Sequence, residues 1–548
     1  MTYFTDQFER TLKERWNLPA IGDYGQQYIT YGKMAENIAV MHEMWKEADL
    51  HLGDKIAINA KSSSAWAQLF FAAITGGYIS VQLFPGFMPS DTMALVRHSD
   101  TRLLYTEKAN FLKMNFEDMP ELLGVFELNT GELLAARNGF DVIYNKRTQL
   151  YKEKYPDGIT PERISFHKWH KDDVCAIMYT SGSTGNPKGV MLTVGNFSAN
   201  LEEIPKSFPY RTGDNFLSVL PFAHVFALTT DVIIPLSLGL TLTVLCIPPI
   251  PMNVKKAMCE LKPRIFFCVP LIMSKFVDYT IGDIINSESG KAKMADIEKN
   301  AEFCEYVRDI LMTALGGNVE AFATGGAAIP SDIESLMAFK LKVPFLTGYG
   351  MTECAPLICC GKIGNYKAKS CGAKLPGYAE IRFDSPDPKH IAGEIQVKGD
   401  CVFAGYYKNP EATASVMTED GWFKTGDMGI TDDDDTVFIV GRCKNMLLSS
   451  NGQNIYPEEI EAVLNELPYV SESIIVQRKN KLYALIVPNG DAVAKNNLSA
   501  ETLREVMRQN IIKLNTMIPD YSVVSGYELI LDPFAKTPKG SIKRFMYA

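Results

Sequence analysis

Apolar and polar positions in the first third of the chain alternate between two periods. Residues 34–48 carry apolar side chains at helical spacing, a Gly53–Asp54 turn follows, and residues 55–59 form a short apolar run. Residues 64–73 predict a second helix, with serines at 62–64 as caps, and 79–83 and 103–106 read as strands. Strands separated by helical stretches predict stacked βαβ units with parallel sheets. From Tyr378 the pattern changes to short strands, 394–398 and 437–440, between turn-rich stretches. After Arg442 the chain reads as a compact α+β piece. A helix at 457–467 opens on Pro457 with Glu458 and Glu459 in its first turn, followed by strands at 473–477 and 482–487 and a helix at 503–514. The expected class is α/β: a large N-terminal domain of stacked βαβ sheets over 1–442, its part 375–442 β-rich, and a small mobile α+β C-terminal domain over 443–548.

Three stretches test this picture. Residues 233–251 are apolar enough to raise a membrane span, but Pro235, Gly239, Pro248, Pro249 and Pro251 cut the helical length. They read instead as a buried helix end followed by a buried strand. Residues 286–300 are polar and predict a surface helix or an excursion. The acidic run 432–435 predicts a solvated hairpin turn, since four adjacent carboxylates cannot all face one ion.

A chain of 548 residues exceeds one ordinary core, so two or more domains are expected. Its net charge of -9 argues against a nucleic-acid partner, which needs clustered Lys and Arg. The polar N-terminus shows no basic segment leading into an apolar run, which predicts a cytoplasmic protein. The 11 cysteines lack metal-ligand spacing, so free or buried thiols are expected rather than zinc ligands or a disulfide frame.

The strongest local signal is YTSGSTGNPKGV at 179–190, which follows an apolar strand-like run at 174–178. Gly182, Gly185 and Gly189 let the backbone approach an anion closely. Thr180, Ser181, Ser183 and Thr184 supply hydroxyls, and Lys188 supplies a charged donor. A flexible linker would need neither the preceding strand nor a lysine among glycines. The order is not that of a Walker A loop, in which Gly-Lys is followed directly by Ser or Thr. A phosphate cradle is therefore predicted.

This loop resembles the signature of the adenylate-forming superfamily of acyl-CoA synthetases, luciferases and adenylation domains. Further segments match in order: LPFAH at 220–224, TGGAA at 324–328, TGYGMTE at 347–353, GWFKTGD at 421–427, GRCKN at 441–445 and SSNGQNIYPEEIE at 449–461. The resemblance implies a nucleotide site of Thr180, Ser181, Gly182, Ser183, Thr184, Gly185, Lys188, Gly326, Ala327, Thr347, Gly348, Tyr349, Gly350, Thr352, Asp427, Arg442 and Lys444. Tyr349 would lie against adenine, Asp427 would accept from the ribose hydroxyls, and Arg442 would meet phosphate or ribose oxygens. Thr180 and Glu353 would hold Mg²⁺, a hard cation that prefers oxygen. Lys188, His224, Thr352, Glu353 and Lys539 are the expected catalytic groups, with His224 near the substrate carboxylate.

The implied chemistry has two steps. A carboxylate attacks the α-phosphorus of ATP and expels pyrophosphate, and a thiol then opens the mixed anhydride. Family members swing the small domain about a hinge between the steps, here expected at Arg442, Cys443 and Lys444. The chain departs from the family near its end. Anchored on Ile542 and Arg544, the position of the adenylation lysine holds Ser541, and Lys539 two residues earlier is the expected substitute. The stretch 441–452, with Gly452 ten residues after Arg442, has the spacing of long-chain acyl-CoA synthetases. Phe222, Phe226 and Leu228 are expected near the acyl entrance. ATP, Mg²⁺, coenzyme A and a fatty acid are thus the implied ligands. An amphipathic substrate is compatible with peripheral contact at the inner membrane face, although no basic amphipathic helix is visible. Three readings stay open beside this one: a carrier-protein acceptor, an aryl or short-chain acid, and a non-catalytic nucleotide-binding homologue.

Overall fold

The computed structural model describes residues 2–180, 187–448, 454–478, 481–537 and 542–547. They divide into two compact units, 1–380 with 398–415, and 381–397 with 416–548.

The first unit is built on mixed sheets. The largest runs, in spatial order, Gly405–Tyr406, Lys188–Thr193, Val174–Thr180, Ile79–Gln82, Lys55–Asn59, Thr101–Thr106, Gly124–Glu127 and Leu133–Ala136. Its middle is parallel and its two ends are antiparallel. The parallel strands are near-continuous apolar runs because both faces are covered; in Val174–Thr180 the five central residues are all buried. A second sheet orders Asn215–Ser218, Thr241–Val244, Pro19–Asp23 and Ile29–Thr30. A third orders Ile265–Cys268, Ala321–Gly325, Phe345–Gly350 and Leu357–Cys360, with only its last strand antiparallel.

Periodicity located these elements well. The predicted helix at 34–48 is Tyr31–Glu47, and 64–73 is Ser64–Thr75, whose Ser63 hydroxyl accepts from the Trp66 amide at 3.2 Å. The apolar run 233–251 resolves into a helix ending at Ile234–Leu238 and a buried strand, Thr241–Val244. Among the described residues no helix is long and apolar enough to cross a membrane. The polar stretch 286–300 contains the helix Glu288–Ala295.

The second unit carries the sheet Ala379–Asp384, Gly393–Gly399, Phe423–Thr431 and Val437–Arg442. The acidic run is the turn between its last two strands: one Asp432 oxygen accepts from the amides of Asp434 and Thr436, and Asp433 pairs with Lys389. Beyond it, the strands Val470–Arg478, Lys481–Pro488 and Val524–Leu529 form a small sheet. The helices Pro457–Asn465 and Ala500–Asn515 share one core with it, including Ile460, Leu464, Ile475, Leu482, Met507 and Leu514. The observed class is thus the expected one, a large α/β part of several sheets and a smaller α+β part at the C-terminus.

Candidate active site

The predicted phosphate loop is flanked by two paired strands. They are Val174–Thr180 and Lys188–Thr193, in antiparallel register with Thr180 opposite Lys188. A strand, not a helix, follows the loop, so any anion held there would meet backbone amides and Lys188 without a helix terminus behind them. Ser181, Gly182, Ser183, Thr184 and Gly185 lie outside the described residues, as do Gly452, Lys539 and Ser541.

The strand Phe345–Gly350 delivers the second group. It carries Thr347, Gly348, Tyr349 and Gly350, then breaks into a short turn, Thr352–Cys354. Thr347 donates its hydroxyl proton to the Ser370 carbonyl at 2.8 Å. Thr352 and Glu353 are each only 8% exposed. Distant side chains pin this turn. Asn200 donates to the Cys354 carbonyl at 3.2 Å and accepts from the Leu357 amide at 3.1 Å. Thr229 donates to the Ala355 carbonyl at 2.9 Å, and the Phe403 amide to the Glu353 carbonyl at 2.8 Å. Glu353 Oε1 accepts from the hydroxyl of Tyr406 at 2.8 Å, and Lys188 Nζ stands 4.7 Å from the centre of the same ring. Tyr406 therefore joins two of the predicted catalytic groups, and the sequence reading had missed it. A Gly-Tyr pair on an edge strand carries no chemical signal until the fold sets it beside the loop.

Gly350 is required by close approach rather than by access to a flat ring. A Cβ there would lie 2.1 Å from the Pro356 carbonyl oxygen, whereas at Gly348 it would meet ordinary contacts from 3.8 Å. Gly350→Ala must displace backbone in the segment that carries Thr352 and Glu353. It is expected to weaken ATP binding at least about tenfold and to destabilise the protein by about 1–3 kcal/mol, read by calorimetry and thermal melting. Wild-type affinity in this variant would show that the turn tolerates the shift. Gly326 has φ +82°, left-handed backbone that favours glycine, at the end of the strand Ala321–Gly325. Ala327 follows it, exposed.

These strand ends border a partly open cavity of about 70 Å³. Gly325, Gly326, Gly348, Tyr349 and Gly350 line one part of it, and His224 another. The rest is apolar, including Ile204, Phe208, Phe226, Phe267, Leu346 and Leu357. The hydroxyls on its wall turn inward: Thr230 donates to the Phe226 carbonyl at 2.8 Å and Thr324 to the Cys268 carbonyl at 3.1 Å. His224 caps the helical turn that starts at Val225, its Nδ1 accepting from the Phe226 amide at 3.4 Å. Behind the wall lies Asp231, fully buried, which accepts from Ser218 at 2.6 Å and competes with the Phe226 carbonyl for the single Thr230 proton, at 2.7 Å. Burial pushes its carboxyl up to about 7, against those two hydrogen bonds. Two expectations need correction. Phe222 is fully buried against Trp66, ring centres 5.5 Å apart, and Leu228 is fully buried; neither borders the cavity. Phe222 lies in the turn before the helix that starts at Val225, and Leu228 lies within the helical segment, and both side chains are packed into the core.

The second unit holds the remaining predicted residues. Asp427 and Arg442 face each other across a strand pair, Arg442 Nε 2.6 Å from Asp427 Oδ1, with Asp427 3% exposed. Lys444 follows them in the chain with more than a third of its surface exposed. Burial first, and then the Arg442 charge, lower its ammonium below the usual lysine range.

The oxygen donors in the first unit fit a hard divalent cation. Glu353 is a buried carboxylate whose Oε1 is engaged by Tyr406, so a cation would be met through Oε2, with the Thr180 and Thr352 hydroxyls as the other protein oxygens. Among the described residues no cluster of three or more His, Cys, Asp or Glu forms a metal site by itself, so such an ion would need further oxygens from a bound phosphate.

A family model described as AMP-binding enzyme matches residues 8–407, about three-quarters of the chain. The chain belongs to the AMP-binding enzyme family. A second model, the AMP-binding enzyme C-terminal domain, matches residues 444–547. Membership makes the chain an adenylate-forming ligase that uses ATP. Among curated relatives, it is 28% identical to a long-chain-fatty-acid–CoA ligase of Haemophilus influenzae, over 98% of this chain and 93% of that one. It is 25% identical to the peroxisomal long chain acyl-CoA synthetase 6 of Arabidopsis thaliana, over 96% and 80%. A solved anthranilate CoA ligase in complex with anthranoyl-AMP superimposes with a TM-score of 0.79 at 19% identity, covering all of this chain and 96% of that one. That last likeness speaks for the fold.

Proposed function

We propose that this enzyme joins a fatty acid of medium to long chain to coenzyme A through an acyl-adenylate, releasing AMP and pyrophosphate. The observation that carries the acid class is the cavity wall. It is largely apolar, its threonine hydroxyls donate to backbone or side-chain acceptors in the wall, and no lysine or arginine lines it among the described residues. A second carboxylate on the substrate would find no cation there, whereas a hydrocarbon tail gains about 0.8 kcal/mol for each methylene buried. The two curated relatives above, matched over 93% and 80% of their own lengths, are both named for long-chain acids, which supports the same class.

In this reading the acid lies with its tail among Phe208, Phe226 and Phe267 and its carboxylate toward His224. Tyr349 and the Gly325–Gly326 and Gly348–Gly350 backbones take the adenosine, and Lys188 stabilises charge on the phosphate oxygens as pyrophosphate departs. Glu353 and Thr180 would hold Mg²⁺, which would supply further neutralisation of the phosphates. Asp427 and Arg442 address the ribose. The domain boundary is placed at 442/443 and the hinge at Arg442, Cys443 and Lys444; the start of the C-terminal family match at 444 supports it. Lys539 takes the place of the family lysine that Ser541 leaves empty.

The test is acid-dependent ATP–pyrophosphate exchange over acids from acetate to oleate and benzoate, with mass identification of the thioester. The expected result is kcat/KM rising about threefold to fourfold per methylene until the cavity is filled, an acyl-CoA product, and slower exchange in Lys539→Ala. A preference for benzoate or acetate would overturn the acid class. A product formed only on a carrier protein would overturn the acceptor. Ser541 favours one second reading, a nucleotide-binding protein without adenylation, and ATP binding with no exchange for any acid would establish it.

A further inference from the structure

Tyr406 sits between the two charged groups of the proposed adenylation centre. Its hydroxyl donates to Glu353 Oε1 at 2.8 Å, and Lys188 Nζ lies 4.7 Å from its ring centre. Glu353 is 8% exposed, the Tyr406 ring beside it 7%, and Lys188 is partly buried. In such surroundings a lysine and a carboxylate within reach attract each other strongly. A direct pair would neutralise both, leaving neither a full cation for phosphate nor a full anion for a metal ion.

The ring that stands between them is fixed from several sides. Gly405–Tyr406 pairs with the edge of the phosphate-loop hairpin, Tyr406 opposite Val190 and Gly405 opposite Met191. The Tyr406 amide donates to Thr413 Oγ1 at 2.9 Å, and Phe403 packs edge-on with ring centres 4.9 Å apart. Gly405 has φ +131°, and a Cβ there would come within 2.9 Å of Thr413.

We infer that Tyr406 is a positioning residue: its hydroxyl orients Glu353, its ring face holds Lys188, and together they keep the cation and the carboxylate apart and available to Mg²⁺-ATP. The inference rests on the functional reading above and adds a residue to it. The geometry assigns the hydroxyl and the ring separate tasks, which separate variants divide.

The experiment is a double-mutant cycle on the dissociation constant of Mg²⁺-ATP, measured by calorimetry on the full chain. Tyr406→Phe keeps the ring and loses the hydroxyl. It is expected to weaken binding about tenfold in the wild-type background and less than about twofold in a Glu353→Gln background. Tyr406→Leu also frees Lys188, and its extra loss should vanish in a Lys188→Ala background. Tyr407→Phe, which loses a bond to Asp100 from the adjoining position, should bind like wild type. Equal losses with and without Glu353, wild-type affinity in Tyr406→Phe, or equal weakening in Tyr407→Phe would each overturn the assignment. Wild-type protein that ignores Mg²⁺-ATP would sink the functional reading itself, whereas tight wild-type binding with additive losses sinks only the role of Tyr406.

Discussion

Lys188→Ala is expected to slow acid-dependent ATP–pyrophosphate exchange by about 10²–10³-fold, the usual loss when a group aimed at transition-state charge is removed. Transfer from a preformed acyl-adenylate to the thiol should be affected far less, because the charge that Lys188 answers grows on phosphate oxygens only in the first step. The expectation is structural as well as chemical. Lys188 begins the strand that leaves the phosphate loop, opposite Thr180, and its ammonium is held over an aromatic face. Lys188→Arg keeps the charge but replaces a compact ammonium with a planar fork, so it should restore only part of the rate. Exchange in Lys188→Ala within about tenfold of wild type would remove this residue from the first step.

Arg544→Ala should give the largest loss of stability, about 3–5 kcal/mol for the C-terminal unit. Arg544 grips both oxygens of Glu461, with 2.8 Å from one guanidinium nitrogen to Oε1. Glu461 is 6% exposed and also accepts from the Ile475 amide at 2.6 Å, so the pair ties the helix Pro457–Asn465 to the strand Val470–Arg478. Removing the arginine leaves a buried carboxylate without its cation. Burial already raises the Glu461 carboxyl above its usual range, with Arg544 opposing that rise. The variant should raise it further. A folded-state pKa above the unfolded one means the folded chain binds the extra proton, so stability falls as pH rises through that window. Amide exchange over residues 457–478 should therefore show a smaller deficit near pH 5 than near pH 8. A deficit independent of pH, or one under about 1 kcal/mol, would show that the pair is not what holds the unit together.

Much of this molecule was legible in its sequence because the signals are local. A parallel strand buried on both faces must be apolar along its middle, as Ile56–Ile58 are, so Lys55–Asn59 could be located to the residue. A phosphate cradle must be rich in glycine and hydroxyls, and the ordered motifs along the chain could be assembled into a family before any coordinates were considered. The change at 378 from helix–strand alternation to short strands likewise marked where the architecture shifts.

What the sequence left open were relations between positions far apart in the chain. Tyr406 meets Lys188 and Glu353 only because an edge strand adds to the hairpin. Asn200 and Thr229 hold the turn that carries Glu353, yet they sit inside helices where nothing local marks them. The lining of the cavity was only partly legible for a similar reason: Phe222, Phe226 and Leu228 are alike as apolar residues, but Phe222 and Leu228 pack into the core while Phe226 reaches the cavity. Composition and periodicity are properties of a segment, and they fixed its secondary structure and chemical type. Contact between segments depends on sheet order and packing, so only the tertiary structure decided which side chains share a site.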